Sequence, residues 1–584
     1  MILVLGGTTE GRKAVRVLEE AGSLFYYSTK TGEQTVELHH GIPCNGAMDQ
    51  KRMLLFCQDE GIRLLIDAAH PFASQLHATV AAVAAKLNLP VIRFDRIYPP
   101  RDPELTWIDD YSQLPSLKGT LLATTGVQSI SRLKPFENEQ LRIIFRILDR
   151  DSSRLLAEQQ GADKSQICYY EESADELDVL NQLKPDYILM KESGVTGGFD
   201  EKCKAARDLG IGVIVLRRPP LPDGFHIVNG EHGLRRCVEK LLPDFFPLHT
   251  GLTTGTCATA AAVAHAMFLL RKEKPAAVPV LLPDGETIHV DVAYGDGYAW
   301  VRKESGDDPD ITNGMEIRAA VEKADRFAVV GGEGVGVITL PGFDFPPGSP
   351  AINKGPYQMI EENLRQFGVP LSVTISVPGG AEAAKKTFNP RLGIEGGISI
   401  IGVSGIIMPY SEEAFLQSIR KCLEIAQNSG TQRVVINSGA KSERFVRRCY
   451  PELPPQVFVE YGNYIGDTIR IASELGIKKL TLGIMMGKAV KLAAGNLDTH
   501  SRKTTMDKAF IVEMMKRAEC PDDIIERVGQ LTFAKELWTL IPPDYLHDFL
   551  DELTRCCHVH CDPLLPNGEL TILLINEDGA IFGF

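Results

Sequence analysis

Short apolar runs that stop at glycine or polar residues recur along the first part of this chain. Ile2–Leu5 is fully apolar and ends at Gly6, which predicts a buried strand. Apolar residues then recur at helical spacing from Arg12 onward, and Gly22 marks a helix end. The stretch GGTTEGR between the two elements therefore lies at a strand-to-helix turn, where backbone N–H groups can face an anion.

The same order of strand, polar loop and helix recurs through residues 1–245. Further strands are predicted at 24–27, 64–66, 91–94, 187–190 and 213–216, with helices at 76–87 and 201–209. The loops among these elements include DAAHPFA (67–73), TTG (124–126) and KESGVTGG (191–198). Because ligands bind at the carboxyl ends of parallel strands, we expect an α/β N-terminal part of two Rossmann-like halves with parallel sheets and a ligand cleft between them.

A break in this pattern falls at LLPDFFPLHTG (241–251), where Pro243 and Pro247 follow a helix. Beyond it come an alanine-rich helix after HTGLTTGT (249–256), a hairpin around PDG (283–285), and a strand–helix–strand pattern at 433–436, 468–475 and 479–484. The sequence therefore predicts two domains, 1–245 and 248–584. The second is expected to be α+β with a Rossmann-like subdomain.

Composition narrows the class of protein. The 584 residues are 44% hydrophobic and 24% charged, which is typical of globular domains, and the net charge of −14 argues against a general binder of nucleic acid or anionic membranes. No apolar run is long enough to span a bilayer, and the N-terminus lacks the basic region of a secretory signal. The 12 cysteines lack CxxC pairs, which is typical of reduced thiols, so a cytoplasmic location is expected.

The residues alone leave two interpretations of GGTTEGR open. Its spacing is GGxxxG rather than the dinucleotide GxGxxG, and glycine is also required at a bare turn. The next strand leads into Ser28 and Lys30 without the carboxylate that usually selects NAD. Lys30 and Arg12 are therefore candidates for contact with a 2′-phosphate, the alternative being that both are solvated surface charges.

Residues 1–245 resemble the precorrin-6A/cobalt-precorrin-6A reductase family of cobalamin biosynthesis in four ordered motifs, GGTTEGR, DAAHPFA, KESGVTGG and ARDLGIGVIVLRRP. The resemblance implies hydride transfer from NAD(P)H to a double bond of the corrin-forming macrocycle. It also implies that the opening loop and the DAAHPFA loop bind the cofactor. The residues assigned to cofactor binding are Gly6, Gly7, Thr8, Thr9, Glu10, Gly11, Arg12, Ser28, Lys30, Asp67, Thr125 and Gly126. Those assigned to the substrate are Lys191 and Ser193.

His70, in the DAAHPFA loop, has two interpretations. At a strand end it could contact the ligand or donate a proton to the reduced macrocycle, so it is a catalytic candidate. Alternatively, Asp67 caps the following helix and His70 hydrogen-bonds the loop. A ligand-contact role is favoured over direct proton transfer.

Residues 248–584 resemble the cobalt-precorrin-5B C-1 methyltransferase family in six ordered motifs, HTGLTTGTCATAAA, GDDPDITNG, GGEGVG, KKTFNPRLGIEGGISIIG, GKAVKLAAG and THSR. The resemblance implies transfer of a methyl group from S-adenosylmethionine to carbon 1 of a ring-contracted macrocycle, with cobalt only as part of the substrate. Two positions depart from the family pattern. Met485 stands where a histidine is usual, and NSGA (437–440) replaces a TPGN-like turn, which puts fine specificity or rate in doubt.

The macrocycle carries many carboxylates, so its site needs cations and N–H donors. Hydroxyls at the start of the alanine-rich helix suit such groups, whereas the glycine-rich GGEGVG is weak support for a nucleotide site. The substrate-binding candidates are Thr253, Thr254, Thr256, Lys386, Arg391 and Lys488. The cofactor candidates are Gly331, Gly332, Gly334 and Gly336. The catalytic candidates are His500 and Arg502. For any single basic residue among them, a solvated surface charge is the alternative.

The segment CCHVHCDP (556–563) is the one that suggests a metal. Cys557 and Cys561 are four residues apart, as are Cys556 and His560, so a helix places each pair on one face. The spacing is not a standard zinc pattern, and we predict no metal site, because buried and surface thiols are the simpler interpretation.

Together these observations predict a bifunctional enzyme of cobalamin biosynthesis that uses S-adenosylmethionine and NAD(P)H on tetrapyrrole substrates. The product of its methyltransferase would be the substrate of its reductase. Two rivals stay open: a tetrapyrrole-binding carrier in which one half has lost catalysis, and an N-terminal half similar to nucleotide-sugar epimerases. The sequence also leaves open the choice of NADH or NADPH and the oligomeric state, a homo-oligomer included.

Overall fold

The structure, a computed structural model, describes residues 1–30, 36–171, 173–500 and 503–583. The chain divides into two compact units. The N-terminal unit contains residues 1–249 and 285–288, and the C-terminal unit contains residues 250–284 and 289 onward. Within the described ranges, no helix has the length and apolar character needed to cross a membrane.

The N-terminal unit is built on two parallel sheets. In order across the first sheet, the strands are Phe225–Val228, Val91–Phe94, Leu64–Asp67, Ile2–Leu5, Phe25–Thr29 and Gly41–Asn45. The inner strands are buried along their whole length because helices cover both faces. Helices Thr9–Glu19 and Glu231–Leu241 pack on one face, and Gln50–Asp59 and Ser74–Leu87 pack on the other.

The second sheet repeats this plan. In order across it, the strands are Thr106–Ile108, Gly212–Leu216, Tyr187–Lys191, Gly119–Ala123, Leu141–Leu148 and Ile167–Tyr170. Helices Glu176–Leu183 and Phe199–Asp208 cover one face, and Ile130–Leu133 and Asp151–Gln159 cover the other. The prediction of two α/β halves with parallel sheets is confirmed by these strand pairings.

The two sheets exchange strands, which the sequence did not predict. Thr106–Ile108 follows the first sheet along the chain but pairs with Gly212–Leu216 in the second. Phe225–Val228 then returns to the first sheet and pairs with Val91–Phe94. Both exchanged strands are short and only partly buried, so their apolar pattern is weak. The exchange joins the halves through two crossing connections.

The C-terminal unit begins with a helix that runs through its first core. Every residue of Thr254–Arg271 up to Ala266 is buried, and alanine predominates because it lets neighbouring elements approach closely. The helix packs on a mixed sheet and on helix Lys354–Arg365. In order, that sheet contains Ala293–Tyr294, Ala299–Arg302, Glu316–Lys323, Leu371–Ser376 and Ala328–Gly331.

Shorter elements surround this core. The strands are Gly251–Leu252, Ala277–Leu281, Thr287–Asp291, Val337–Ile338, Ile394–Glu395 and Ile406–Ile407. The short helices are Gly380–Ala384 and Asn389–Leu392. Strands Ala277–Leu281 and Thr287–Asp291 flank PDG, as the sequence predicts.

A second sheet in the C-terminal unit is mostly parallel. In order, it contains Phe458–Glu460, Arg433–Asn437, Lys479–Met485, Glu569–Ile575 and the antiparallel Ile581–Phe582. The helices around it are Glu412–Asn428, Ala440–Val446, Ile465–Glu474, Met486–Ala493, Lys508–Arg517, Asp522–Glu526, Leu537–Leu540 and Pro543–Cys561. A single cluster of buried apolar side chains joins this sheet to its helices. We call this five-stranded sheet the C-terminal sheet.

Candidate active sites

The turn after the first strand is shaped by Tyr27 on the neighbouring strand. The Gly7 N–H donates to the Tyr27 hydroxyl at 3.2 Å, and a Cβ on Gly6 would lie 2.2 Å from the Tyr27 ring. Gly7 has a φ of +92°, and no described atom beyond its chain neighbours lies within 4 Å of the position of a Cβ. Packing therefore explains Gly6, whereas Gly7 leaves open space where a ligand can approach the backbone.

The helix that follows is anchored at its first turn. The Thr8 hydroxyl accepts from the Gly11 N–H at 3.0 Å and donates to the Ala68 carbonyl at 2.6 Å. Arg12 is exposed and donates to the Thr9 hydroxyl at 3.3 Å. Thr8 and Gly11 thus hold the turn in shape, while Thr9 and Arg12 lie on its accessible side.

Glu10 has a different environment from the one expected of a cofactor contact. Its carboxylate accepts from Arg96 Nε at 3.1 Å and from the Thr196 hydroxyl at 2.6 Å, and it is almost fully buried. Arg96 also donates to the Ser193 carbonyl at 2.8 Å. Burial alone would raise the pKa of Glu10, but Thr196 and Arg96 hold it below its ordinary value. Glu10 therefore ties the loops of the two sheets together.

Asp67 lies behind the site rather than in it. It is fully buried, accepts from Arg93 at 2.9 Å and from the Ala69 N–H at 3.1 Å, and lies 2.5 Å from His77 Nδ1. Burial would raise its pKa, but the His77 hydrogen bond and the Arg93 charge keep it below the ordinary value. Both carboxylate oxygens are engaged by protein groups, so Asp67 positions the DAAHPFA loop, and its predicted contact with the cofactor stays a prediction.

His70 is held as a neutral imidazole. The Phe72 N–H donates to His70 Nδ1 at 3.2 Å, so the ring proton is on Nε2. Burial, together with the charges of Arg96 and Lys191, lowers the pKa of His70 to about 3. His70 can therefore donate a hydrogen bond from Nε2, but it is not a cationic acid near neutral pH.

A cavity of about 960 Å³ brings together predicted residues from both sheets. Those that line it are His70, Thr125, Gly126, Lys191 and Ser193. Lys191 lies 5.1 Å from the centre of the Phe72 ring, and burial lowers its pKa. We call this space the cleft cavity. Gly6–Arg12, Ser28 and Lys30 do not line it; Ser28 is buried, and Lys30 is exposed at the end of its strand.

A second cavity, of about 820 Å³, is rich in arginine and was not predicted. Arg93, Arg96, Arg101, Arg217 and Arg218 line it, and Arg96 also lines the cleft cavity. Its arginines come from two segments that are distant in sequence, 93–101 and 217–218, and only the RRP of ARDLGIGVIVLRRP was part of a motif singled out from the sequence. We call it the arginine cavity.

Most of these guanidinium groups are held by carboxylates. Arg101 makes two bonds to Glu192, at 2.9 and 3.0 Å, and Arg217 pairs with Asp109 at 3.0 Å. Arg218 instead stacks on the Tyr98 ring at 3.4 Å and has no carboxylate partner within the described ranges. Its Nη1 is buried without a hydrogen-bond partner. The arginine cavity therefore offers an anionic ligand a guanidinium that forms no ion pair with a described carboxylate, although Glu192 lies near enough for their charges to interact.

In the C-terminal unit, the predicted threonines serve the fold. Thr253 Oγ1 accepts from the Thr256 N–H at 3.1 Å and so caps the central helix. Thr254 Oγ1 accepts from the Ile401 N–H at 2.8 Å, and Thr256 Oγ1 donates to the Gly405 carbonyl at 2.6 Å. All three threonines are buried. The Thr254 and Thr256 hydroxyls attach the helix to the 399–405 segment, and the predicted substrate contact of the three threonines stays a prediction.

The GGEGVG turn is filled by its own chain. The predicted cofactor residues here are Gly331, Gly332, Gly334 and Gly336. A Cβ on Gly334 would lie 1.9 Å from the Val377 carbonyl oxygen, and one on Gly332 would lie 2.3 Å from Ser376 Oγ. Close packing of backbone and side-chain atoms therefore explains the glycines at these two positions without a ligand. A nucleotide site at this turn stays a prediction, and the glycines by themselves do not support it.

Of the three basic substrate-binding candidates in this unit, one is exposed on the surface and two lie against the C-terminal sheet. Lys386 is exposed on the surface. Arg391 is half-buried, pairs with Glu443 at 3.1 Å and donates to the Phe458 carbonyl at 2.6 Å, which places it against the C-terminal sheet. Lys488 donates to the Gly462 carbonyl just beyond a strand of the same sheet. Burial lowers the pKa of Lys488 to about 8.

The THSR segment lies beside the loop that Lys488 contacts. The Thr499 N–H donates to the Asn463 carbonyl at 3.0 Å, and Lys491 Nζ donates to the Thr499 carbonyl at 3.2 Å. His500 donates its N–H to Asp498 at 3.0 Å. Arg502 lies outside the described residues. The carboxyl edge of the C-terminal sheet thus gathers the segments of Lys488 and His500 in one region.

The cysteines of CCHVHCDP pack inside the unit. Cys556, Cys557 and Cys561 are all buried on helix Pro543–Cys561, and Cys557 Sγ donates to the Ala489 carbonyl at 3.5 Å. Burial raises the pKa of all three thiols, which favours the protonated form over the thiolate that binds metal.

Family models match most of the chain. The model described as precorrin-6x reductase CbiJ/CobK matches residues 1–238, the model CbiD matches 244–409, and that of the CbiD C-terminal domain matches 498–584. The cobalt-precorrin-5B C(1)-methyltransferase of Prosthecochloris aestuarii is 40% identical over 352 residues, which cover 57% of this chain and 95% of that protein. The Thermus thermophilus enzyme of the same name is 39% identical over 311 residues, covering 52% and 85%.

Solved structures give matches to both parts. The structure titled CobK precorrin-6A reductase is 21% identical, covers 41% of this chain and 96% of that chain, and has a TM-score of 0.35. A cobalamin biosynthesis protein (cbiD) from Archaeoglobus fulgidus is 32% identical, covers 44% and 83%, and has a TM-score of 0.26.

Proposed function

Because the chain belongs to the cobalt-precorrin-5B C(1)-methyltransferase family and carries a precorrin-6x reductase domain before it, we propose that it catalyses two consecutive steps on one macrocycle. The chain is a bifunctional enzyme of cobalamin biosynthesis, a methyltransferase joined to a reductase. The proposed substrate is cobalt-precorrin-5B, which is methylated at carbon 1 to cobalt-precorrin-6A and then reduced to cobalt-precorrin-6B. The single observation that carries this proposal is the presence of both families in one chain.

The reductase site is proposed around the cleft cavity. NAD(P)H, when bound, supplies the hydride. In the first sheet, the chain adds strands on one side of Ile2–Leu5 and then on the other. This strand order is the one that dinucleotide-binding folds have, which supports the proposal. Gly7 supports a phosphate contact because its open side exposes the backbone, and Arg12 lies on the accessible side of the same turn. Gly126, with a φ of +86° and open space, offers a second such turn at the cavity itself.

The carboxylates of the macrocycle are proposed to meet the arginine cavity. Arg218 supports this because it lacks a carboxylate partner in the described chain, and a guanidinium binds a carboxylate through paired N–H groups. Lys191 would provide a cation on the cleft side, and His70 would donate a hydrogen bond from Nε2 into the cleft cavity. Lys30 is exposed, so any preference for NADPH that it gives would be screened by water and only several-fold.

The direct test supplies the full chain with cobalt-precorrin-5B, S-adenosylmethionine and NAD(P)H, and records product masses. We expect one added methyl group without NAD(P)H, and two further hydrogens when it is present. Methylation that is never followed by reduction would leave the N-terminal unit as a tetrapyrrole carrier.

We also propose that the activities divide between residues 1–245 and 248–584. The hydrophobic core clusters of the first unit contain only residues between 2 and 246, so these apolar side chains are buried against one another within that part of the chain. Fragments cut near Pro247 are expected to be folded, the first reducing cobalt-precorrin-6A and the second methylating cobalt-precorrin-5B. Circular dichroism measures whether each fragment is folded, and assays of reduction and of methyl transfer measure the two activities. Fragments that are folded but inactive would contradict the division.

The reductase is expected to show no ionisation of His70 between about pH 5 and 8, because a pKa of about 3 keeps the imidazole neutral there. The measurement is kcat/KM against pH for the wild type and His70→Gln. We expect a lower rate in the variant with an unchanged profile, since only a hydrogen bond is altered. A titration near pH 6 that disappears in His70→Gln would contradict the assignment.

A further inference from the structure

The carboxyl edge of the C-terminal sheet has the topology of a ligand crevice. The first strand of this sheet along the chain is Arg433–Asn437. The second strand, Phe458–Glu460, pairs on one side of it, and the third, Lys479–Met485, pairs on the other side. In open parallel sheets, ligands bind where the order reverses in this way. The crevice here is bounded by Gly439, Glu460 and the segment of Lys488.

Gly439 brings the backbone close to Glu460. Its φ of +139° is a conformation that side chains disfavour, and a Cβ there would lie 3.1 Å from Glu460 Oε1. The Gly439 N–H donates to Asn437 Oδ1 at 3.0 Å, which fixes the turn. A larger residue at 439 would therefore crowd the carboxylate, and glycine keeps the space above it open.

Glu460 is a carboxylate without a close hydrogen-bond donor in the described part of the chain. It is half-buried at the end of its strand, and it accepts no hydrogen bond from any described residue. Burial and the nearby charge of Glu443 raise its pKa, and the charges of Lys488 and Arg391 oppose that rise. A partly desolvated acid without a donor favours a ligand that supplies hydroxyl groups.

The spacing along the chain agrees with this geometry. Glu460 follows the Gly439 turn by about 20 residues, the separation at which an acid at the end of the second strand binds ribose hydroxyls in dinucleotide folds. The sequence drew attention to NSGA (437–440) only as a departure from a family turn, and it gave no signal for Glu460. At the GGEGVG turn, in contrast, close packing against the Val377 carbonyl and Ser376 already accounts for Gly334 and Gly332.

We propose that Glu460 binds the ribose hydroxyls of S-adenosylmethionine, with the Gly439 turn beside the adenosine, at the carboxyl edge of the C-terminal sheet. The inference rests on the proposed methyl transfer from that cofactor. It moves the cofactor site from the GGEGVG turn to the sheet edge that also carries Lys488 and His500. When bound, S-adenosylmethionine supplies the methyl group, and Glu460 would hold its ribose.

The experiment measures S-adenosylhomocysteine binding to the full chain by isothermal titration calorimetry. Glu460→Ala is expected to weaken binding by about ten- to a hundredfold, because hydrogen bonds to a charged group are lost. Glu452→Ala, an exposed acid of the same unit, and Glu333→Ala, on the GGEGVG turn, are expected to bind as the wild type does. Circular dichroism reports whether each variant is folded.

A ligand change gives a second readout. The 2′-deoxy analogue of S-adenosylhomocysteine is expected to bind more weakly than the parent to the wild type, but equally to Glu460→Ala. Unchanged affinity in Glu460→Ala, or a loss confined to Glu333→Ala, would overturn the site and leave the methyltransferase intact. A wild type that neither binds S-adenosylhomocysteine nor methylates cobalt-precorrin-5B would overturn the proposed function itself. Glu460→Gln, with the same size, decides the case if the alanine variant fails to fold.

Discussion

Replacing Gly7 by valine is expected to abolish NAD(P)H binding and reduction while methyl transfer continues at the wild-type rate. Gly7 has a φ of +92°, which a β-branched residue adopts only at a cost of about 1–3 kcal/mol. The turn would shift, and the valine side chain would also fill the open space beside the backbone. Because a displacement of about 1 Å can reduce a rate 100-fold, we expect at least that loss in kcat/KM.

Both activities and NAD(P)H fluorescence are measured on the full chain. Gly22→Val is the matched control: Gly22 has a φ of +64°, open space around its Cβ position, and a place beyond the far end of the same helix. It introduces similar backbone strain away from the turn. Normal NAD(P)H binding in Gly7→Val, or an equal loss in Gly22→Val, would refute the assignment of the turn.

Strands whose pattern is strong were predictable from the sequence. Ile2–Leu5 and Val91–Phe94 are buried over their full length, and their apolar residues locate each strand correctly even though Arg93 interrupts the second run. Helix starts were less accurate. The first helix begins at Thr9 because Thr8 caps it, whereas apolar spacing becomes visible only from Arg12. Local apolar pattern therefore predicts the core and misses the ends.

Partners distant in sequence could not be predicted. Glu10 meets Arg96 and Thr196 only because the chain passes between the two sheets, and neither partner is near it in sequence. The same reason hides Glu460, whose nearest basic groups come from other segments. The sequence motifs contain residue types that suit ligands. Whether a given hydroxyl or carboxylate can contact a ligand depends on whether such distant partners already bind it.

The buried group around Asp67 illustrates this dependence and gives the last prediction. Asp67→Ala is expected to destabilise the N-terminal unit by about 3–5 kcal/mol, because Arg93 would remain buried without its carboxylate. Urea-dependent hydrogen exchange of peptides covering Leu64–Asp67 measures this in the full chain. Asp244→Ala, which removes an exposed partner of Arg63, is the control and is expected to change exchange little.

The stabilisation that Asp67 gives the N-terminal unit is expected to decrease as the pH falls. The folded-state pKa of Asp67 is below its unfolded value of about 3.9, so the ionised carboxylate stabilises the fold above that pH. This contribution is lost as pH falls from about 4 through the folded pKa, where the proton binds the folded state as well. The difference in stability between the wild type and Asp67→Ala is therefore expected to be constant at neutral pH and to shrink in acid. A difference that is small at pH 7, or that grows on acidification, would show that Arg93 and His77 do not depend on Asp67 for their burial.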